Sequence, residues 1–134
     1  MSNPTQVPTS ISNIGVAMFT IADQDAAIAY YTQTLGWELR ADVPFGDEGG
    51  NRWVEVAPPG GGTALALVPP RGDYVEGRMT GIALDTTDAR ATHAELEAKG
   101  VDVDEELMGG DEAVPLLFFF RDHDANTLMI VESS

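Results

Sequence analysis

Apolar and polar positions along this chain switch between two periods, and the switch happens twice. Residues 14–21 (IGVAMFTI) are almost wholly apolar, the composition of a strand buried on both faces. Asp23 follows, and its carboxylate can accept from the free amides of a helix start. Over residues 25–35, Ala27, Tyr31 and Leu35 recur at every fourth position with Ile28 beside them, one apolar helical stripe that Gly36 brings to a stop. Residues 37–43, 52–56 and 63–68 then read as three strands. A glycine-rich acidic loop at 45–51 and a Pro-Pro-Gly-Gly-Gly turn at 58–62 separate them. After a break the order begins again. Residues 80–85 predict a strand, Asp88 a cap, and residues 89–99 a helix with Ala89, Thr92 and Leu96 inward and Gly100 as its stop. Strands are expected over 101–107, 114–121 and 126–131. The last two, with the Arg-Asp-His-Asp-Ala-Asn turn between them, form a hairpin that closes the domain.

The two caps lie 65 residues apart and the two glycine stops 64, so a whole strand-helix-strands unit recurs at nearly constant spacing. Such a period decides architecture. The expected fold is α+β: one domain over residues 1–134, made of two tandem βαβββ modules at about 12–69 and 79–132, with a linker at 70–78 and a loose polar arm before residue 12.

Composition narrows the functions. A chain of 134 residues, 43% hydrophobic, is long enough for a real core. It has no cysteine, which excludes disulfides, thiolate metal sites and cysteine nucleophiles. No apolar run approaches the ~18 residues of a membrane span, and the first ten residues lack the basic-then-apolar order of a secretion signal. A cytoplasmic protein without a membrane partner is the expectation. With 22 acidic against 7 basic side chains the net charge is −15, the wrong sign for neutralising phosphates, so no nucleic-acid partner is expected. The acidity serves solubility, or attracts a cationic ligand.

Several stretches resemble the vicinal oxygen chelate superfamily, which includes glyoxalase I, extradiol dioxygenases, fosfomycin resistance enzymes and bleomycin-binding proteins. They are the first strand with Asp23-Gln24-Asp25-Ala26-Ala27, then Tyr30-Tyr31, Leu35-Gly36-Trp37, and Arg52 through Gly60 (RWVEVAPPG). In the closing turn, His123 and Ala125 stand where that family commonly has proline and glycine. The resemblance implies the glyoxalase/bleomycin resistance/dihydroxybiphenyl dioxygenase-like fold, with the two modules walling a half-barrel cavity. It also places the family's four metal ligands on Val16, Ala66, Gly81 and Met129. Those side chains offer a divalent ion no hard or borderline donor, and a one-residue slip would turn core side chains outward. No metal and no other cofactor is therefore expected.

If those four positions face the cavity, alternation brings Met18, Thr20, Ala64, Val68, Ala83, Asp85, Thr127 and Val131 onto the same faces. The resemblance turns Leu117 and Phe119 inward as well. The opposite set, Ala17, Phe19, Ile21, Leu65, Leu67, Ile82, Leu84, Leu128 and Ile130, is apolar throughout and should pack under the helices. The expected ligand-binding residues are Met18, Trp53, Glu55, Ala66, Asp85, Phe119 and Met129. Trp53 would be a stacking platform and Asp85 a polar anchor. Each also has a plainer reading. Met18, Phe119 and Met129 can fill the space a metal and substrate occupy elsewhere. Trp53 can be sheet packing, Glu55 solvated and Asp85 a strand end. Tyr30 and Tyr31 read as packing, His93 as a half-exposed helix residue, His123 as a turn residue, and the pairs Asp47-Glu48 and Asp104-Glu105 as solvated.

The leading expectation is a metal-free, bleomycin-resistance-like homodimer that sequesters an aromatic or cationic antibiotic or metabolite. The alternative is a glyoxalase-like lyase, isomerase or dioxygenase working without the four-ligand site, with Asp85 or Glu55 as general base.

Overall fold

A computed structural model describes residues 7, 9–44, 50–70, 75–111 and 113–133. Most of the glycine-rich loop, the Asp47-Glu48 pair, the middle of the linker and most of the N-terminal arm lie outside the described residues.

The order of elements is β1 (Val16–Thr20), α1 (Gln24–Ala29), β2 (Glu38–Pro44), β3 (Arg52–Ala57), β4 (Ala64–Val68), β5 (Met79–Thr86), α2 (Ala89–Ala98), β6 (Asp102–Val103), β7 (Leu117–Arg121) and β8 (Thr127–Glu132). The strands form two open four-stranded sheets, β1-β4-β3-β2 and β5-β8-β7-β6. In each, the strand before the helix pairs in parallel with the last strand of its module. The remaining pairs are antiparallel. This is an α+β fold of two like βαβββ units.

Both helices start where a carboxylate can cap them. Asp23 Oδ1 accepts from the Ala26 amide at 3.1 Å, and Asp88 Oδ1 from the Ala91 amide at 3.0 Å. Past their ends, Gly36 (φ 74°) and Gly100 (φ 80°) take the left-handed turn that side chains resist. α1 runs on as a π-helical turn, Tyr30–Thr34, where the expectation was one α-helix to residue 35. The widened turn still buries Tyr31 completely.

Side chains on the helix-facing sides of both sheets join one core. Ile21, Leu65, Leu67, Phe118, Phe120, Leu128 and Ile130 meet Ala27 and Tyr31 of the first helical segment and Ala89 and Leu96 of α2. Ala17, Phe19, Ile82 and Leu84 pack against its margin. These include the whole set expected under the helices, to which Phe118 and Phe120 are added.

Four local expectations need correction. The strand expected over 101–107 is only Asp102–Val103: the Asp104 amide still donates to the Phe119 carbonyl at 3.0 Å, but its carboxylate takes over as acceptor, Oδ2 accepting from the Phe119 amide at 3.2 Å while Oδ1 pairs with Arg121 Nη1 at 2.7 Å. Asp104 is therefore a structural group, not a solvated one. On α2, His93 turns inward beside Ala89 and Leu96; its Nε2 lies 2.6 Å from the Asp104 carbonyl and its ring stands edge-on to Phe118. Thr92, expected inward, is half-buried, its hydroxyl tied to the Asp88 carbonyl and to Thr86.

The modules are latched by the β7–β8 turn. Asp122 is buried and accepts from the Tyr31 hydroxyl at 2.9 Å and from the amides of Asp124 and Asn126 at 2.8 and 2.9 Å. Asp124 Oδ2 reaches back to the Ala22 amide at 3.0 Å. His123 stays exposed, its ring 5.3 Å from that of Tyr30.

Candidate functional site

The face of the first sheet turned away from the helices is ordered by strand register. Met18 pairs with Ala66, Ala66 with Glu55, and Glu55 with Ala41, so one row crosses all four strands. Thr20 pairs with Val68 and Val43 with Trp53 in the adjoining part of this face. Successive side chains on a strand alternate, which puts Trp53 and Glu55, two residues apart, on one side. The Trp53 indole N–H donates to Glu55 Oε2 at 2.6 Å. Both side chains are half-buried, Met18 is 53% exposed, and Ala66 is wholly covered and forms the floor beneath them. A cleft of about 210 Å³ opens beside Met18 and Trp53, with Val68, Pro69 and Pro70 on its far side.

The corresponding face of the second sheet carries the other three expected residues. Phe119 pairs with Met129, Met129 with Ala83, and Val131 with Asp85. Phe119 and Met129 are half-buried and Asp85 is exposed. Arg121 shares this face, its guanidinium held between Asp102 at 2.9 Å and Asp104 at 2.7 Å. The hydrogen bond from Arg121 keeps the Asp102 carboxyl below its ordinary value.

Within one chain, then, Met18, Trp53, Glu55 and Ala66 come together, and so do Asp85, Phe119 and Met129, but on separate sheets. The helix-facing sides of both sheets point into the shared core, so the two groups lie mainly on the faces turned from it. Between the modules lies a third space of about 610 Å³, bordered by Ile14, Ala17, Trp37, Ile82, Leu84 and Asp85. Trp37, whose ring is 5.3 Å from that of Tyr31, was not among the expected site residues. An aromatic directly after a helix stop was the available signal, and it reads equally as packing.

The family model described as the glyoxalase/bleomycin resistance protein/dioxygenase superfamily matches residues 13–130. The chain belongs to this superfamily. The crystal structure of TnmS3, an antibiotic binding protein from Streptomyces sp. CB03234, is 32% identical, covers 95% of this chain and 100% of its own, and superposes with a TM-score of 0.79. A superfamily member from Sphaerobacter thermophilus is 30% identical, with 93% and 100% coverage and a TM-score of 0.83. The uncharacterized protein YetH of Bacillus subtilis (strain 168) is 29% identical over 127 residues, 91% of this chain and 99% of YetH.

Against the superfamily's metal chemistry, the donor set here does not fit. Val16 and Ala66 offer only hydrocarbon, and Gly81 offers no side chain. Gly81 also sits at an irregularity in the β5–β8 register with φ 75°, which takes it out of regular strand geometry. Met129 offers a single thioether, a soft ligand suited to copper(I). Among the described residues no three His, Asp or Glu side chains converge as a metal site.

Proposed function

We propose that this protein holds a small organic molecule, an aromatic or cationic antibiotic or metabolite, on the helix-free sheet faces without a metal, and so sequesters it. The observation that carries the reading is the first of those faces: a half-exposed Met18 and a tryptophan beside a cleft, the indole bonded to one carboxylate, over an alanine floor, where a metal-using relative needs donor atoms. Thioether and indole surface suits a flat apolar ligand, and one carboxylate can fix its orientation. The likeness to TnmS3 across nearly the whole chain supports the same direction.

The reading includes a homodimer. A partner turned so that its second sheet faces the first sheet of this chain would set Asp85, Phe119 and Met129 opposite Met18, Trp53 and Glu55, forming two equivalent sites by a single two-fold axis. It also places the protein in the cytoplasm, between an entering drug and its target.

Isothermal titration against a library of aromatic and cationic antibiotics tests binding. The expected outcome is saturable heat, and a raised melting temperature, from at least one planar member. Absence of heat and of any thermal shift across a broad library would sink the reading.

A further inference from the structure

We propose that the groove between the two modules is a second small-molecule site, complete within one chain, that takes a lipophilic amine: its apolar body lies against Ile14, Ile82, Leu84 and Trp37, and its ammonium group meets Asp85. This goes beyond the sheet-face reading above and does not depend on it. The groove is bordered by β1 and β5, each an edge strand of its own sheet, and by the turn between β3 and β4.

Three observations converge on it. The first is size. The space of about 610 Å³ adjoins a smaller one of about 180 Å³, with Trp37, Pro58, Leu84 and Asp85 bordering both. Ordinary small-molecule sites enclose about 300–1,000 Å³. The second is that the walls are held by hydrogen bonds of their own. The Arg40 guanidinium donates to the carbonyls of Pro58, Gly61 and Gly62 and so fixes the turn between β3 and β4. Thr63 Oγ1 donates to the Ile14 carbonyl at 2.8 Å and the Ala64 amide to the Gly15 carbonyl at 3.2 Å, which fixes the segment leading into β1. A groove formed in advance loses less entropy when it fills. The third is the chemistry of the lining. Ile14 is 75% exposed, and Ile82, Leu84 and Trp37 are half-buried, so an apolar wall still meets water that a ligand would displace. Among the described residues lining the two spaces, the charged side chains are Asp85 and Glu95, both acidic and both exposed. At the narrow end the Thr86 and Thr92 hydroxyls are engaged with each other at 2.7 Å, and Thr92 also with the Asp88 carbonyl at 3.0 Å. The two carboxylates are therefore the strongest polar groups left to the groove, and charges of one sign lining a cleft focus its field toward the opposite sign.

The chain has two tryptophans, Trp37 at this groove and Trp53 beside the sheet-face cleft, so the two indole N–H signals of a proton–nitrogen correlation spectrum report which site a ligand enters. Trp53→Phe assigns them. Three probes of similar shape, cationic naphthylmethylamine, neutral naphthylmethanol and anionic naphthoate, are titrated at neutral pH into the protein. The Trp37 signal should move saturably, with one probe bound per chain. By that signal the amine should bind about threefold more tightly than the alcohol, and naphthoate should be the weakest. Asp85→Asn should remove most of the amine's advantage while the alcohol stays within about twofold. Ile14→Ser, which alters an exposed residue outside the sheet faces, should weaken the Trp37 response to all three probes about threefold and leave any Trp53 response where it was. Saturation seen at Trp53 alone, no response of either indole, equal affinity for amine and naphthoate, or an undiminished preference for the amine in Asp85→Asn each overturns the proposal. Spectra of both variants that match the wild type before probe is added keep a loss of affinity from being a loss of fold. Sequestration on the sheet faces stands or falls by its own library titration, so the two failures are told apart.

Discussion

Ala125 in the closing turn and Tyr31, which hydrogen-bonds to that turn, act on stability in opposite senses. Ala125 is, among the described residues, the non-glycine with positive φ (61°), and it stands where the superfamily's turn commonly has glycine. A left-handed non-glycine residue costs about 1–2 kcal/mol, while glycine adds about 0.5–1 kcal/mol of unfolded-state entropy. Ala125→Gly should therefore stabilise by up to about 1 kcal/mol, read as a higher urea midpoint at unchanged m-value. Tyr31 works the other way. Its hydroxyl is buried and donates to Asp122, and burial first, then the Asp122 charge, raises its pKa well above the ordinary value. A tyrosine whose folded pKa is raised lends stability in full below its unfolded value of about 10 and loses it as pH climbs through the folded value. Unfolding free energy should thus fall steeply above about pH 10, and Tyr31→Phe should flatten that fall. At neutral pH the same substitution should cost about 1–2 kcal/mol, because Asp122 loses a donor. Urea denaturation at a series of pH values reads both effects, and an equally steep alkaline fall in Tyr31→Phe would refute the assignment.

At the scale of elements, what the chain announces is what local chemistry decides. Asp23 and Asp88 cap, Gly36 and Gly100 terminate, and the two sheet faces divide into the expected sets because each rests on a side chain acting on its own backbone or on simple alternation. What it conceals depends on partners distant in sequence. Val101, Val103 and Leu107 alternate like a strand, yet β6 ends after two residues because the Asp104 carboxylate takes the place of a ladder acceptor for Phe119. His93 looks like a surface residue until the Asp104 carbonyl is brought to its ring. The π-helical turn keeps the same apolar spacing as an α-helix, so periodicity cannot reveal it. The candidate residues were legible as members of sheet faces, because strand alternation is local; their division between two separate sheets depends on long-range pairing. The clasp holding β6 to β7 is itself testable. Asp102 is lowered by its hydrogen bond with Arg121, so its contribution is present above the unfolded carboxylate pKa and disappears as pH falls through the folded value. Arg121→Gln should speed amide hydrogen exchange around Val103 and Phe119 at neutral pH and make stability less sensitive to acid. Unaltered exchange would show that the β6 edge is held by the backbone ladder alone.

At the scale of the molecule, the residues of the proposed site are divided between two sheets of one chain. Met18, Trp53 and Glu55 belong to the first sheet, Asp85, Phe119 and Met129 to the second, and the shared core stands between them. A ligand enclosed by both groups requires two chains, whereas a ligand held by either group alone does not. Mixing variants distinguishes these cases. Trp53→Ala damages only the first sheet's half and Phe119→Ala only the second's, so each homodimer should bind the ligand weakly at both of its sites. A heterodimer of the two has one site with both halves damaged and one with both intact. Random subunit exchange makes half the dimers mixed, so a mixture of the two variants should recover about a quarter of the wild-type binding capacity at wild-type affinity. A site confined to one sheet would leave one of the two variants at full capacity before mixing, and mixing would add nothing beyond the average of the two. Because each protomer carries a net charge of −15, exchange and reassociation should be run at raised salt, where repulsion between two such acidic chains is screened. Capacity that stays at the level of the separate variants, in a mixture shown by native mass spectrometry to contain heterodimers, would mean that each half-site works alone.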